Sequence, residues 1–304
     1  MHVWSQSAAN CNTERIKAQN ELASRPVPMT SLPNTILIGA AKAGTTSLCK
    51  DLDFHPDVYL YPSKETRFFS AGYDKGLDYY RSLFHPKGQK VIMEASPDYS
   101  TGLRAPRVAD RIHADLPNAR LIYMVREPLA RMESEYVQEL ANGHTRIDFA
   151  EAVSAWKLLN GSLYDETYEI FTKHFREDQI HVVFFEDYVS DKVAVMRDLC
   201  EFLGIEEATE ASLERKAANS RSEKIVDPRL LKKLRRFRFF EKYKHLVPHR
   251  VKLALKRSVS KSVNGRVQWT PALREKIEMR VRPDAAKFLK RFGKPADFWK
   301  VAKH

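Results

Sequence analysis

Nine residues beginning at Gly39 concentrate groups suited to gripping an anion. Gly39-Ala-Ala-Lys-Ala-Gly-Thr-Thr-Ser47 follows the apolar burst Thr35-Ile-Leu-Ile38 and opens into a helical pattern from about Thr45. A strand, a glycine loop and a helix start in that order aim backbone N–H groups, and the positive end of a helix dipole, at one point. The glycine spacing is that of the nucleotide-binding G-x-x-x-x-G-K-[ST] loop, with one departure. Thr45 stands where that loop carries its lysine, and Lys42 has moved inside the loop. A kinase or NTPase sets its lysine against β and γ phosphates. A cation placed earlier suits a shorter anionic group, such as a single 5′-phosphate carrying one transferable group. The plainer alternative is a glycine turn capped by Thr45 or Thr46 that holds no ligand.

Lys42-Ala-Gly-Thr-Thr-Ser47 resembles the 5′-phosphosulfate loop of sulfotransferases that use 3′-phosphoadenosine 5′-phosphosulfate (PAPS). A second hallmark of that family is an Arg closing a strand with a Ser eight residues later. Here Val125-Arg126-Glu127-Pro128 ends an apolar burst, and Ser134 follows. Pro128 suits a first helical turn, Leu129, Met132, Tyr136 and Leu140 form an apolar stripe, and Ser134 lies off that stripe. Arg126 offers a planar fork for a phosphate, its structural alternative being an ion pair with Glu127 or Glu133. Three further segments are similar to the carbohydrate branch typified by heparan sulfate sulfotransferases: Lys64-Glu65-Thr-Arg67-Phe-Phe69, Glu94-Ala-Ser-Pro-Asp-Tyr99, and Gly161-Ser-Leu-Tyr164 with Glu186-Asp187. The likeness runs from about residue 34 to 188, then resumes near residue 219 and at the C-terminal helix.

The resemblance implies a division of labour. Sulfuryl transfer, like phosphoryl transfer, runs in line through a loose transition state, so positioning and charge stabilisation dominate. Glu65 takes the place of the base that receives the acceptor proton, and Lys42 stabilises charge on the departing 5′-phosphate. The loop N–H groups at Lys42, Ala43 and Gly44, with the hydroxyls of Thr45, Thr46 and Ser47, hold the 5′ end. Arg126 and Ser134 hold the 3′-phosphate, with Arg221 in Asn219-Ser-Arg-Ser222 as a further candidate. The cosubstrate is PAPS, no metal is required, and the acceptor presents a hydroxyl or amine on a carbohydrate, lipid or other metabolite. Two positions depart from the heparan sulfate branch: Arg67 replaces its frequent His, and Ala95 its frequent Lys. The branch acting on steroids and phenols uses a histidine base instead, and His113, His144 and His174 have no matching context. Read without the family, Glu65 is a surface carboxylate paired with Lys64 or Arg67.

Positioning such a site requires a parallel sheet. Strand-type bursts recur at Val91-Ile-Met93, at 121–125 and at 181–185, separated by helical patterns over 105–116, 128–140, 164–175 and 192–203. Apolar strands alternating with amphipathic helices predict an α/β fold, a central parallel sheet flanked by helices with a P-loop-like strand-loop-helix. A last helix is expected over 271–292. Residues 1–34 read as a polar arm and 35–304 as the sulfotransferase domain, with a basic helical insertion at about 223–268.

The chain has 304 residues, 43% of them apolar, enough for a large core without staples and too apolar for a disordered protein. Its net charge of +12 is local: 13 Lys and Arg face one acid between Arg229 and Lys261, while the rest carries 38 of each sign. That segment suits an anionic membrane surface, an anionic substrate, nucleic acid, or a solvated helix face packed on the domain. Peripheral contact with anionic membrane is the partner expected of it, and nucleic acid is not expected. Cys11, Cys49 and Cys200 form no C-x-x-C pair, and no run of about 18 apolar residues or signal-peptide core occurs, so a cytoplasmic enzyme is expected. Two rival functions remain: a small-molecule kinase, which would need magnesium ligands and a lysine at position 45, and a non-catalytic membrane- or nucleic-acid-binding module.

Overall fold

A computed structural model describes residues 32–141, 147–154, 156–207 and 267–302. The elements in chain order are β1 (Thr35–Gly39), α1 (Thr45–Asp53), β2 (Val58–Leu60), α2 (Leu77–Arg81), β3 (Val91–Ala95), α3 (Ala105–Asp115), β4 (Arg120–Val125), α4 (Pro128–Ala141), α5 (Phe149–Ser154), α6 (Trp156–Asn160), α7 (Tyr164–Thr172), β5 (Ile180–Phe184), α8 (Phe185–Ser190), α9 (Lys192–Leu203) and α10 (Pro271–Arg291). A π-helical turn, Phe68–Gly72, lies between β2 and α2. The described strands form one five-stranded sheet in the order β2-β3-β1-β4-β5, and every pairing is parallel.

Covered on both faces, the sheet buries every residue of β1 and β3. This is why those strands read as continuous apolar runs rather than alternating ones. β1 lies between β3 and β4, with Thr35 opposite both Met93 and Arg120. The chain leaves β1 toward β2 on one side and reaches β4 on the other. The crevice at the carboxyl ends of β1 and β4 is therefore the switch point where ligands settle in open parallel sheets. β2 is the strand that periodicity does not reveal: three residues at a sheet edge are too few to show a pattern. The predicted helices over 105–116, 128–140, 164–175 and 271–292 are present with shifted ends, and the one over 192–203 has the predicted bounds.

One helix start is capped from a distance. α7 has Leu163 at its N-cap and no local side-chain cap. Asp284 of α10 fills the role, accepting from the N–H groups of Asp165 at 3.2 Å and Glu166 at 2.9 Å. Burial pushes the Asp284 carboxyl up to about 6, opposed by those same hydrogen bonds. Phe288 and Trp299 pack with Tyr164 and Phe184, seating α10 behind β4 and β5. Arg221, the stretch 229–261 and nearly all of the 223–268 insertion lie outside the described residues.

Candidate active site

The loop after β1 turns tightly between the strand and α1. Ala40 N–H donates to the Met124 carbonyl at 2.6 Å, so the loop begins still paired to β4. Lys42 and Gly44 adopt left-handed backbone, with φ of 71° and 100°. A Cβ at Gly44 would lie 2.6 Å from the Phe185 ring as well as in a strained conformation, so the turn accepts only glycine. No side chain caps α1, which leaves the first-turn N–H groups facing the loop. Thr45 is buried, while Thr46 and Ser47 are exposed at the helix mouth.

A second cation reaches this mouth from the loop after β2. The Lys64 ammonium, on a residue only 8% exposed, lies 3.0 Å from Thr45 Oγ1 and 3.5 Å from Thr46 Oγ1. Thr45 occupies the sequence position of the P-loop lysine, and Lys64 brings an ammonium to its hydroxyl from another part of the chain. Lys64 Nζ is also 3.8 Å from Glu65 Oε1, so one ammonium links the carboxylate to the loop. Glu65 Oε2 accepts from Arg67 Nη2 at 3.1 Å and Nε at 3.3 Å. The plainer reading of Glu65, a carboxylate paired with Lys64 and Arg67, thus describes its state in the free protein. It does not conflict with a role beside the loop.

The β4 side closes the crevice. Arg126 Nη1 lies 3.5 Å from the Lys42 carbonyl, and its guanidinium stacks over Phe185 at 4.8 Å. Its backbone is fixed by Tyr164, whose hydroxyl donates to the Arg126 carbonyl at 2.6 Å, and by Glu186, which accepts from Glu127 N–H at 2.8 Å. Arg126 pairs with neither Glu127 nor Glu133; Glu127 caps the Ala130 N–H, and Glu133 accepts from Trp269 Nε1. Ser134 sits half-buried on α4 between Arg131 and Gln138, three residues after the first and four before the second. Arg131 is wholly buried and donates to the loop carbonyl of Ala41 at 3.2 Å, while Gln138 accepts from Lys42 Nζ at 2.5 Å. α4 therefore turns the Ser134 side toward the loop. Burial holds the Lys42 ammonium below the usual lysine range, against the attraction of Glu135 and together with repulsion from Arg126 and Lys64.

Lys42, Thr45, Thr46, Ser47, Glu65 and Arg126 are thus gathered at one end of the sheet. The residues that sequence reasoning leaves without a role are Lys64, Arg131 and Gln138. Lys64 was visible beside Glu65; what was invisible is its burial against α1, which depends on the three-residue strand β2. Arg131 and Gln138 carry helical spacing but no motif.

A glycine loop between strand and helix at the switch point of a parallel sheet defines an α/β fold of P-loop-like type. Residues 78–210 match the sulfotransferase family. Heparan sulfate glucosamine 3-O-sulfotransferase 3B1 of Mus musculus is 34% identical over 186 residues, covering 57% of this chain and 46% of that protein. The fold is similar to a sulfotransferase from Alicyclobacillus acidocaldarius, with a TM-score of 0.63, 24% identity, and coverage of 88% of this chain and 98% of that one. Mouse sulfotransferase SULT7A1, solved with PAP, has a TM-score of 0.51 at 14% identity, covering 86% of this chain and 88% of its own. The chain spans about half the length of the curated relatives it matches.

The expectation of a cytoplasmic enzyme is overturned by these relatives. One of them, 36% identical over 132 residues (40% of this chain, 27% of that protein), is the membrane-associated sulfotransferase kil1 of Dictyostelium discoideum. The cytoplasmic reading rested on sparse cysteines and the lack of an apolar run, neither of which fixes a compartment. Among the described residues, no helix is long and apolar enough to cross a membrane.

Proposed function

We propose that this chain transfers the sulfuryl group of PAPS to a hydroxyl of a carbohydrate acceptor. The observation that carries the reading is the meeting of Lys42, Lys64 and Arg126 around the uncapped start of α1. Exposed hydroxyls at Thr46 and Ser47 and a glycine whose Cβ would strike Phe185 fit a phosphate seated there. PAPS supplies the activated sulfuryl group. Lys42, Lys64 and the α1 N–H groups hold its 5′ end and spread the negative charge that grows there. Arg126 and Ser134 take the 3′-phosphate, Arg126 as a stacked planar fork. Glu65 receives the acceptor proton, and Arg67 must give up its hold on that carboxylate for it to do so. The carbohydrate class comes from the relatives named for heparan sulfate glucosamine, and Arg67 and Ala95 mark where this acceptor site differs from that branch.

The test combines binding with turnover. Adenosine 3′,5′-bisphosphate should raise the melting temperature, and ATP with magnesium should raise it much less. Sulfate labelled in PAPS should appear on a glycan acceptor and not on lipid or phenol acceptors, with the product identified by mass. A shift with magnesium ATP alone would instead favour the kinase reading. For the basic stretch 229–261 we read contact with anionic membrane. Replacing its Lys and Arg by Ser should abolish binding to phosphatidylserine vesicles, and equal binding by both proteins would reject that role.

A further inference from the structure

Beneath the loop that carries Glu65 lies a fully buried carboxylate that the proposed chemistry does not use. Glu94, the fourth residue of β3, is 0% exposed, and no Lys or Arg among the described residues pairs with it. Its oxygens receive Tyr99 OH at 2.7 Å, Tyr80 OH at 3.2 Å, Ser96 Oγ at 2.6 Å and Thr66 N–H at 3.5 Å. Two of these donors are relays. Ser96 Oγ accepts from Arg67 N–H at 2.9 Å, and Tyr99 OH accepts from Phe69 N–H at 3.2 Å.

The donor set fits an ionised group. Ser96, Tyr99 and Tyr80 each have a hydroxyl proton to direct at Glu94, and Tyr99 OH also lies 3.3 Å from Thr66 Oγ1. With the Thr66 N–H, four donors match the four lone-pair sites of a carboxylate. Burial raises the Glu94 carboxyl, and the bonds from Ser96, Tyr99 and Thr66 oppose that rise. Burial, and next the Glu94 charge, push both phenols well above their usual range, so they remain donors.

The segment anchored this way needs anchoring. It is neither helix nor strand at Glu65–Arg67, and it holds left-handed backbone at Lys64 (φ 65°) and Arg67 (φ 52°). Lys64 has its own tether, its carbonyl receiving Ala95 N–H at 2.9 Å. Among the described residues none donates to the Glu65 carbonyl in this way; the backbone immediately after it is held by Glu94 and its relays. We propose that Glu94 is the positioning residue for Glu65: its buried, ionised carboxylate holds the amides of Thr66, Arg67 and Phe69 and so sets the carboxylate of Glu65 beside the phosphate loop. This rests on the reading of Glu65 as base.

Glu94→Gln tests it without changing size, since its amide would turn two hydrogens toward groups that are already donors. Turnover should fall about 10-fold to 100-fold, the scale of a displacement near 1 Å at a reacting group, while the KM for PAPS stays within about twofold. The pH profile separates positioning from general damage. Glu65 faces Lys64 and Arg67; among the described residues Glu94 faces the neutral Tyr80, Tyr99, Ser96 and Thr66, with the Cys49 thiol also sensing its charge, and removing the buried negative charge should move the acidic limb of kcat to lower pH. Tyr99→Phe keeps that charge but breaks the Phe69 relay, so it should lower turnover and leave the limb in place. Hydrogen exchange reads the same claim without activity: the Phe69 amide should exchange faster in both variants and the Thr66 and Arg67 amides in Glu94→Gln, with β1 and β3 protection unchanged. Wild-type turnover and unchanged exchange at those amides in Glu94→Gln would overturn the proposal. An inert wild type would instead count against the sulfotransferase reading, and the exchange result would still decide the role of Glu94.

Discussion

Replacing Lys64 by Met should weaken nucleotide binding while leaving the free protein as stable as before. The ammonium sits 3.0 Å from Thr45 Oγ1 and 3.5 Å from Thr46 Oγ1, on a residue 8% exposed. Its only carboxylate partner among the described residues, Glu65 Oε1, is 3.8 Å away, beyond a good hydrogen bond. A buried cation so thinly compensated carries a desolvation cost of several kcal/mol in the free protein. Met keeps the stem's packing and removes that cost, so the melting temperature without ligand should stay level or rise. A bound phosphate reverses the balance, because a charged hydrogen bond is worth about 1.5–3 kcal/mol. Through a tenfold change per 1.4 kcal/mol, the dissociation constant of adenosine 3′,5′-bisphosphate should rise by about 10- to 150-fold. Calorimetry on both proteins, with melts run alongside, reads both halves. Equal affinity would remove Lys64 from the anion site. A large drop in the unliganded melting temperature would mean that the ammonium serves the fold instead.

Three further changes test separate parts of the site. Glu65→Gln should lower turnover by about 10²–10⁴-fold with nucleotide binding retained, and unchanged turnover in a transfer assay would remove the residue from proton transfer. Arg126→Ala should weaken the adenosine bisphosphate by about 1.5–3 kcal/mol in calorimetry, and equal affinity would reject the assignment. Asp284 tests the fold behind it. Its carboxyl is raised to about 6 in the folded protein, so the native state binds a proton that the unfolded chain has released. Stability should therefore fall as pH rises through roughly 4 to 6, by at most about 3 kcal/mol from this group, and remain lower above that window. Asp284→Asn, which can still accept from the α7 amides, should flatten that slope in urea melts at pH 4 and pH 7; a slope equal to wild type would refute it.

The loop and the β4 terminus were legible in sequence because each is a local pattern. A glycine whose φ is 100° against Phe185 leaves a glycine in the chain, and an arginine ending a buried strand stands out after five apolar residues. The segments read only as family likeness have a physical reason to be there. Gly161 admits the Arg131 guanidinium, which would lie 3.1 Å from a Cβ; Ser162 accepts from Arg131 Nε; Tyr164 and Glu186 hold the backbone at Arg126 and Glu127. None of these links is visible without the sheet order, because each joins residues 30 to 59 positions apart. Lys64 was hidden for the same reason. A lysine beside a glutamate reads as a solvated pair, and only the pairing of β2 with β3 swings it under α1. The compartment failed differently: cysteine number and missing apolar runs constrain it too weakly to outweigh relatives.

Three cations near this site, though not Arg126, share a property that links its backbone to its chemistry. Among the described residues, the only non-glycine positions with left-handed backbone are Lys42, Lys64 and Arg67. Such a conformation costs an L-residue of order 1–3 kcal/mol, and it persists only where surrounding bonds over-determine it. Those bonds are present at each position: Ala43 N–H to the Ala40 carbonyl around Lys42, Lys64 N–H to the Tyr61 carbonyl and Ala95 N–H to the Lys64 carbonyl, and Arg67 N–H to Ser96. Mutual repulsion among cations would disperse side chains carried on relaxed backbone. Turning the backbone itself fixes where each stem begins, so Lys42 and Lys64 stay near the loop despite the charge they share; burial, with repulsion from Arg126 and Lys64 added to it, makes the Lys42 ammonium give up its proton more readily. An incoming polyanion relieves the repulsion, which makes the free protein's electrostatic cost a source of affinity once the nucleotide binds.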